Sequence, residues 1–133
     1  MRKRWVMMAL FLGCSTQAAL AEDIGLSKEY SFCLDAAGGV TMSMIDCIHQ
    51  ETERQDLRLN KAYKMVMETL TPERKNELKK AQRAWIAFRD GNCQFYADPE
   101  GGSIAGISAN DCYLRATASR ASELESFFNR EGH

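Results

Sequence analysis

Apolar residues recur along much of the chain at spacings of three and four, the period of a helix with one buried face. The longest such pattern covers residues 41–70 and follows a Gly-Gly break, with Thr41 or Ser43 as the expected N-cap. Between Ile48 and Leu59 the inward positions are polar. The pattern therefore predicts a long helix whose core face contains a polar section. That section comprises Thr52, Gln55 and Asp56.

A second helix is predicted to begin at Pro72. Thr71 is a typical N-cap, proline is favoured at the first helical position, and an acidic residue follows it. Gly91-Asn92 predicts the end of this helix, near Cys93. Its apolar face consists of Leu78, Ala81, Trp85 and Phe88.

The remaining segments complete an all-helical prediction. Residues 27–37 are expected to form a short helix, and residues 111–128 a third long one capped by Asn110 or Asp111. Residues 94–110 are predicted to be a 17-residue irregular loop, because Asp98-Pro99-Glu100-Gly101-Gly102 has strong turn chemistry. No segment alternates with a period of two, so no strand is predicted. The expected fold class is all-α, a small three-to-four-helix bundle with two disulfides.

The first 21 residues have the pattern of a secretory signal peptide. Three basic residues precede an apolar run of about nine residues, far shorter than the roughly 20 that a membrane span needs. Ala19-Leu20-Ala21 is a suitable cleavage site, so residues 22–133 form the expected mature domain. Its expected location is the periplasm or the exterior. The alternatives are an uncleaved anchor helix and a lipoprotein anchored through Cys14.

Cleavage changes the charge of the chain. It removes Arg2, Lys3 and Arg4, which leaves 14 basic residues against 18 acidic ones, a net charge of −4. A mildly acidic surface argues against nucleic acid or anionic lipid as a partner and suits a basic protein. The sequence predicts no cofactor and does not fix the oligomeric state.

The expected mature chain keeps four cysteines: Cys33, Cys47, Cys93 and Cys112. An even number in an oxidising compartment predicts two disulfides, in one of three possible pairings. A zinc site with four cysteine ligands is the alternative. Structural zinc sites use closely paired ligands, and separations of 14, 46 and 19 residues do not provide them.

The sequence contains no evident catalytic set. His49 lies in a predicted helix, His133 is the last residue, and neither belongs to a spaced metal-binding motif. The nucleophile elbow, the P-loop and the dinucleotide-binding turn are missing from the sequence. Asp56 is the one carboxylate placed on an inward face, and a glycosidase needs two. The sequence therefore indicates a protein that is not an enzyme and has no metal site.

Polar residues lie on or beside the inner face of each long helix. Because a buried charge needs a partner, Asp56 is expected to pair with Arg89 or Arg120. We interpret these residues as an internal network that fixes the register of the helices, with a ligand site as the alternative. The predicted network comprises Asp56, Asn60, Gln82, Arg89, Thr117 and Arg120.

Several of these residues belong to a longer pattern that covers about residues 33–124. It runs Cys47…Glu51…Asp56-x-x-Leu59-Asn60-x-x-Tyr63, then Leu78-x-x-Ala81-Gln82-Arg83-x-Trp85-x-x-Phe88-Arg89-Asp90-x-x-Cys93, then Gly101-Gly102-Ser103 and Cys112…Thr117-x-x-Arg120…Leu124. This pattern resembles the LprI-like lysozyme-inhibitor N-terminal domain family of bacterial exported proteins. The resemblance implies a small helical envelope domain. The named member of that family is associated with lysozyme inhibition, and the weak lipoprotein signal is a departure from it.

Two disulfide pairs are expected, Cys33 with Cys47 and Cys93 with Cys112. Each pair brackets a glycine-containing break, so each bond would join two helix ends across a short loop. A pairing such as Cys33 with Cys93 would instead place the N-terminal segment against the second helix.

The expected function is that of an exported binding module, most concretely an inhibitor of lysozyme-type muramidases. Lysozymes are generally basic, and a partner with a net charge of −4 would be steered towards them. The long loop would enter the cleft and block substrate. The alternatives are a structural or interaction domain of the cell envelope with another protein partner, and a cell-wall glycan hydrolase. The expected contact residues are Tyr96, Asp98, Glu100 and Ser103.

Overall fold

A computed structural model describes residues 23–131 as four helices and their connections. The helices are α1 (Lys28–Ala37), α2 (Thr41–Thr69), α3 (Pro72–Phe95) and α4 (Gly102–Glu131). No strand occurs in residues 23–131, and the all-α prediction is confirmed. The predicted signal peptide, Cys14 and His133 lie outside the described residues. Within the described part of the chain, no helix is both long enough and apolar enough to cross a membrane.

Two helices begin at the hydroxyl side chains that favour a helix start. Ser27 Oγ accepts a hydrogen bond from the Tyr30 amide at 3.1 Å at the start of α1. Thr71 Oγ1 accepts one from the Arg74 amide at 3.4 Å at the start of α3, as predicted. Each bond satisfies a backbone donor that has no partner within its helix.

The start of α2 differs from the prediction. Its N-cap is Val40, which makes no side-chain capping bond, so the predicted cap by Thr41 or Ser43 is wrong. The preceding turn determines where this helix begins. Gly38 and Gly39 have φ angles of 54° and 82°, in the left-handed region that favours glycine. They end α1 and reverse the chain into α2.

The connection between α3 and α4 is much shorter than the predicted 17-residue loop. α3 continues through Gly91 to Phe95, and α4 begins at Gly102, so only residues 96–101 are irregular. A glycine costs a helix interior only about 1 kcal/mol, which packing can offset. In α4, Ala105 is buried and Ile107 packs against the core. This burial stabilises the first helical turns of α4, which the local sequence pattern does not predict. The predicted caps of this helix, Asn110 and Asp111, lie inside it.

The core lies mainly between α2 and α4, which pack together along much of their length. It consists of two clusters of buried side chains, one at each end of the pair. The first cluster comprises Tyr30, Ala37, Cys47, Ile48 and Leu114. The second comprises Leu59, Ala62, Val66, Ala121 and Leu124.

The two apolar clusters are separated by the polar section that the sequence predicts in α2. Glu51 is fully buried there, and its carboxylate accepts hydrogen bonds from the Ser27 amide at 2.8 Å and from Gln55 Nε2 at 2.7 Å. Arg54 Nε donates to the same carboxylate at 2.7 Å. Burial opposes ionisation of Glu51, but the bonds from Ser27, Gln55 and Arg54 outweigh it and lower the pKa of its carboxyl group.

Arg58 ties the N-terminal segment to the helix pair. Its guanidinium donates to the Ile24 carbonyl at 2.6 Å and to the Glu125 carboxylate at 2.6 and 2.8 Å. Gly25 lies so close that a Cβ at this position would stand 2.6 Å from the Arg58 guanidinium. The segment before α1 is therefore held across both α2 and α4.

Both expected disulfides are present. The Cα atoms are 5.7 Å apart in Cys33–Cys47 and 5.5 Å apart in Cys93–Cys112. This pairing is incompatible with a zinc site made of the four cysteines. The prediction that the second bond joins two helix ends is wrong, because α4 starts ten residues before Cys112. It fastens the last turn of α3 to the third turn of α4.

Candidate binding surface

The turn between α3 and α4 is a compact, exposed structure. Asp98 organises it, since its carboxylate accepts a hydrogen bond from the Glu100 amide at 2.9 Å and its carbonyl accepts one from the Gly101 amide at 3.1 Å. This is the pattern by which aspartate stabilises a turn. Gly102 follows with a φ of 62°, which favours glycine.

All four predicted contact residues lie at or beside this turn, and all are exposed. Tyr96, Asp98 and Glu100 belong to the six-residue connection. Ser103 lies in the first turn of α4, not in a loop as predicted. The Tyr96 ring meets the neighbouring Phe95 ring edge-on, with 5.7 Å between the centroids. The structure therefore brings the predicted residues together on one end of the α3–α4 pair.

Three features hold this turn in place. The Cys93–Cys112 disulfide lies immediately before it and joins the two helices that it connects. Asp98 closes the turn through the hydrogen bonds described above. Gly101 packs so closely that an added Cβ would lie 2.7 Å from Ala105 Cβ. A partner would meet a preorganised surface, which lowers the entropy cost of binding.

The turn lies in a stretch of the sequence whose charged side chains are all acidic. From Asp90 to Leu114 there are four acidic residues and no lysine, arginine or histidine. Asp90 is paired with Arg89 and Asp111 with Arg115, which leaves Asp98 and Glu100 of the turn without an ion pair among the described residues. The first half of α3 has the opposite balance, with five basic residues and two acidic ones between Pro72 and Arg83.

Behind the turn, Arg89 joins α3 to α4. It is only 7% exposed, and its Nη1 donates to Thr117 Oγ1 at 3.3 Å. The guanidinium lies between two rings, with Cζ 3.9 Å from the Tyr113 centroid and 4.9 Å from the Trp85 centroid. Its ion pair is with Asp90, at 3.0 Å. A cation stacked between two aromatic rings stabilises the interface without a buried carboxylate.

A second polar link lies one to two turns further along the same interface. Arg120 Nε donates to Gln82 Oε1 at 3.1 Å, and Arg120 Nη1 pairs with Glu123 at 2.7 Å. Four of the six residues of the predicted network form two separate links, Arg89 with Thr117 and Arg120 with Gln82. Both links connect α3 with α4, and the first is buried while the second is partly buried.

Asp56 and Asn60 take no part in these links. Asn60 is exposed, and Asp56 is half-buried on α2. Asp56 makes neither of the direct ion pairs predicted, because Arg89 and Arg120 pair with acidic residues on their own helices. Burial raises the pKa of the Asp56 carboxyl group, and the charge of nearby Arg89 acts in the opposite direction.

The predicted place of Phe88 on the buried face of α3 is wrong. The buried face of this helix carries Arg89 and Cys93, and Phe88 and Phe95 are 66% and 81% exposed. Two turns of helix separate these phenylalanines, so they lie on one side. The signal that could have revealed this is the arginine itself, because Arg89 and Cys93 define a face about 100° away from Phe88.

Sequence reasoning also missed the anchor of the N-terminal segment. Glu51, Gln55 and Arg58 are spaced at three and four residues along α2, the signature of one helix face. No sequence signal named Ser27, Gly25 and Ile24 as their partners. Among residues 23–131, no three His, Cys, Asp or Glu side chains are arranged to hold a metal ion.

Comparison with known proteins gives two matches. The family model described as "Lysozyme inhibitor LprI" matches residues 33–124 of this chain. An uncharacterized protein of Rhizobium meliloti is similar to this chain, with 32% identity over 98 residues. That match covers 63% of this chain and 70% of the relative. No solved structure matches the chain.

Proposed function

The chain belongs to the LprI family, and from this premise we propose that it is an exported binding module that inhibits lysozyme-type muramidases. The family match over residues 33–124 is the observation that carries the proposal. That range includes the whole of α2 and α3, parts of α1 and α4, both disulfides and the whole α3–α4 turn. The inhibitor acts by occupying its target and has no chemistry of its own.

Two independent features support the proposed export. The first 21 residues have the composition of a cleavable signal peptide, and the four cysteines of the expected mature chain are paired as disulfides. Such bonds persist in oxidising compartments such as the periplasm and the cell exterior. Lysozymes that reach a bacterium attack from that side, so this location places the inhibitor in their path.

The α3–α4 turn is the part proposed to contact the lysozyme. It presents Tyr96, Asp98 and Glu100 to solvent within a stretch that has no basic residue. Lysozymes are generally basic, so opposite charges would accelerate the encounter and favour this end of the inhibitor. The narrow turn, fixed by a disulfide, has a shape suited to insertion into a cleft.

Titration calorimetry of the exported protein against several lysozyme types tests this proposal. We expect micromolar or tighter binding to at least one type, with affinity that falls as salt concentration rises. Replacing Asp98 and Glu100 by Ala should weaken that binding and flatten its salt dependence. The matched control is Asp35→Ala with Glu29→Ala on α1, which removes the same charge elsewhere.

Three other results would contradict all or part of this proposal. Absence of binding to every lysozyme type would contradict the proposal and leave another envelope protein as partner. Equal weakening by the α1 control would show that net charge, and not the turn, determines binding. Release of glycan fragments from peptidoglycan by the protein alone would identify a hydrolase instead.

A further inference from the structure

One side of α3 is apolar and is not covered by any other part of residues 23–131. Its side chains recur at spacings of three and four residues, which is the pattern of a buried helix face. Every one of these positions is nevertheless exposed. The stripe comprises Ala81, Ala84, Phe88, Gly91 and Phe95.

The two phenylalanines make this stripe unusual for a surface helix. Phe88 and Phe95 lie on the same side, about 10 Å apart along the axis, and both project into solvent. Neither contributes to the two core clusters. A group of exposed aromatic residues on a small domain usually indicates an interaction surface.

The stripe is continuous with the α3–α4 turn. Phe95 is the last residue of α3, and its ring meets that of Tyr96, the first residue of the turn. The acidic side chains of Asp98 and Glu100 follow within five residues. An apolar, aromatic centre bordered by charged groups is the usual anatomy of a protein–protein contact.

The chemistry of this surface selects its partner. Carboxylates attract lysine and arginine, and the exposed faces of aromatic rings attract the same cations. The acidic residues lie at the end of the stripe beside the turn, where Phe95 is located, so this end suits a partner with a basic contact area. The first half of α3 is basic, so charge alone does not prevent a second copy from packing antiparallel, and the test below therefore includes the oligomeric state.

We propose that the α3 stripe, with Phe88 and Phe95 as its anchors, is the second half of the lysozyme-binding surface, next to the turn. This inference rests on the proposed function. The turn enters the cleft while the stripe packs against the adjoining wall. Basic side chains of the lysozyme would then lie over the two phenylalanine rings.

The test is calorimetric binding of Phe88→Gln with Phe95→Gln to a lysozyme that the wild-type protein binds. Glutamine suits a helix and both sites are exposed, so the melting temperature should change little. We expect affinity to fall at least tenfold, since buried aromatic anchors dominate such contacts. The matched control is Leu57→Gln, which removes an apolar side chain that is 74% exposed on α2, and it should bind like wild type.

Three outcomes would overturn this inference. Wild-type affinity of the double variant, with the turn variant impaired, would confine the binding site to the turn. Equal weakening by Leu57→Gln would show a general loss of apolar surface. A wild-type dimer that the double variant dissociates, with lysozyme binding unchanged, would assign the stripe to a second copy. If the wild-type protein binds no lysozyme, the proposed function fails, which is a different result from any of these.

Discussion

Arg89 stacks on the ring of Tyr113, with 3.9 Å between its guanidinium carbon and the ring centroid. The contact joins α3 to α4 directly behind the disulfide and the exposed turn. Arg89 and Cys93 are the buried residues of α3, while Leu78 and Trp85 pack half-buried against the second core cluster. The stability of the α3–α4 pair is therefore concentrated in a few named contacts.

Arg89→Ala should destabilise the protein by about 2–3 kcal/mol. The substitution removes two cation–π contacts and the apolar packing of a long side chain from a nearly closed site. Urea unfolding monitored by circular dichroism measures the change. Arg83→Ala is the control on the same helix, because Arg83 is exposed, and it should cost no more than about 0.5 kcal/mol. Equal costs for the two variants would show that the stacked position has no special role.

Glu51→Gln should lower stability at neutral pH and flatten its dependence on acid. The neutral amide of glutamine makes weaker hydrogen bonds than the buried carboxylate of Glu51. The variant should therefore be less stable than wild type by about 1.5–3 kcal/mol. The folded state lowers the pKa of Glu51. The stabilisation is therefore complete above the unfolded pKa of about 4.3 and is lost as pH falls through the lower folded value.

Unfolding free energies of wild type and Glu51→Gln between pH 7 and pH 2.5 test this dependence. The difference between the two proteins should shrink as the pH falls below the unfolded pKa of about 4.3, because the unfolded carboxyl group takes up its proton before the folded one does. Glu53→Gln, at an exposed position in the same helix, should follow the wild-type curve. A constant difference across the whole range would exclude ionised Glu51 as the source of stability.

Gly101→Ala and Gly91→Ala should change stability in opposite directions. An added Cβ at Gly101 would lie 2.7 Å from Ala105 Cβ and 3.2 Å from Asp98 Cβ, so the turn must shift, at a cost of about 1–3 kcal/mol. An added Cβ at Gly91 would meet no described atom within 4 Å apart from its own helix backbone and chain neighbours, so alanine in this helix interior should stabilise by about 0.5–1 kcal/mol. Thermal melts of both variants decide the matter, and a neutral Gly101→Ala would mean that the turn is not tightly packed.

Local sequence signals predicted the helix boundaries correctly where a residue constrains or caps the backbone next to it. Thr71 and Pro72 fixed the start of α3, and the Gly38-Gly39 pair fixed the break before α2. The same kind of signal failed at Gly91, since a glycine ends a helix only if nothing else holds the next turn. There the disulfide at Cys93 and the packing of Arg89 hold it.

The candidate site was only partly predictable for a related reason. Residues such as Asp98 and Gly101 favour turns whatever surrounds them, so the predicted position of the turn is correct. The face on which Phe88 lies depends on how α3 is rotated against α4, and the four-residue spacing of Arg89 and Cys93 is a weaker signal for that rotation than the apolar pattern that includes Phe88. Burial of the arginine between two aromatic rings decides the rotation, and that is a tertiary effect.

The measurement that tests the central claim most directly is muramidase activity in the presence of increasing amounts of the purified protein. Lysozymes of several types would be assayed on peptidoglycan, with the Asp98→Ala and Glu100→Ala double variant in parallel. We expect activity of at least one type to fall towards zero near equimolar inhibitor, and the variant to require a higher concentration. Full activity of every lysozyme type at a large excess of wild-type protein would contradict the account.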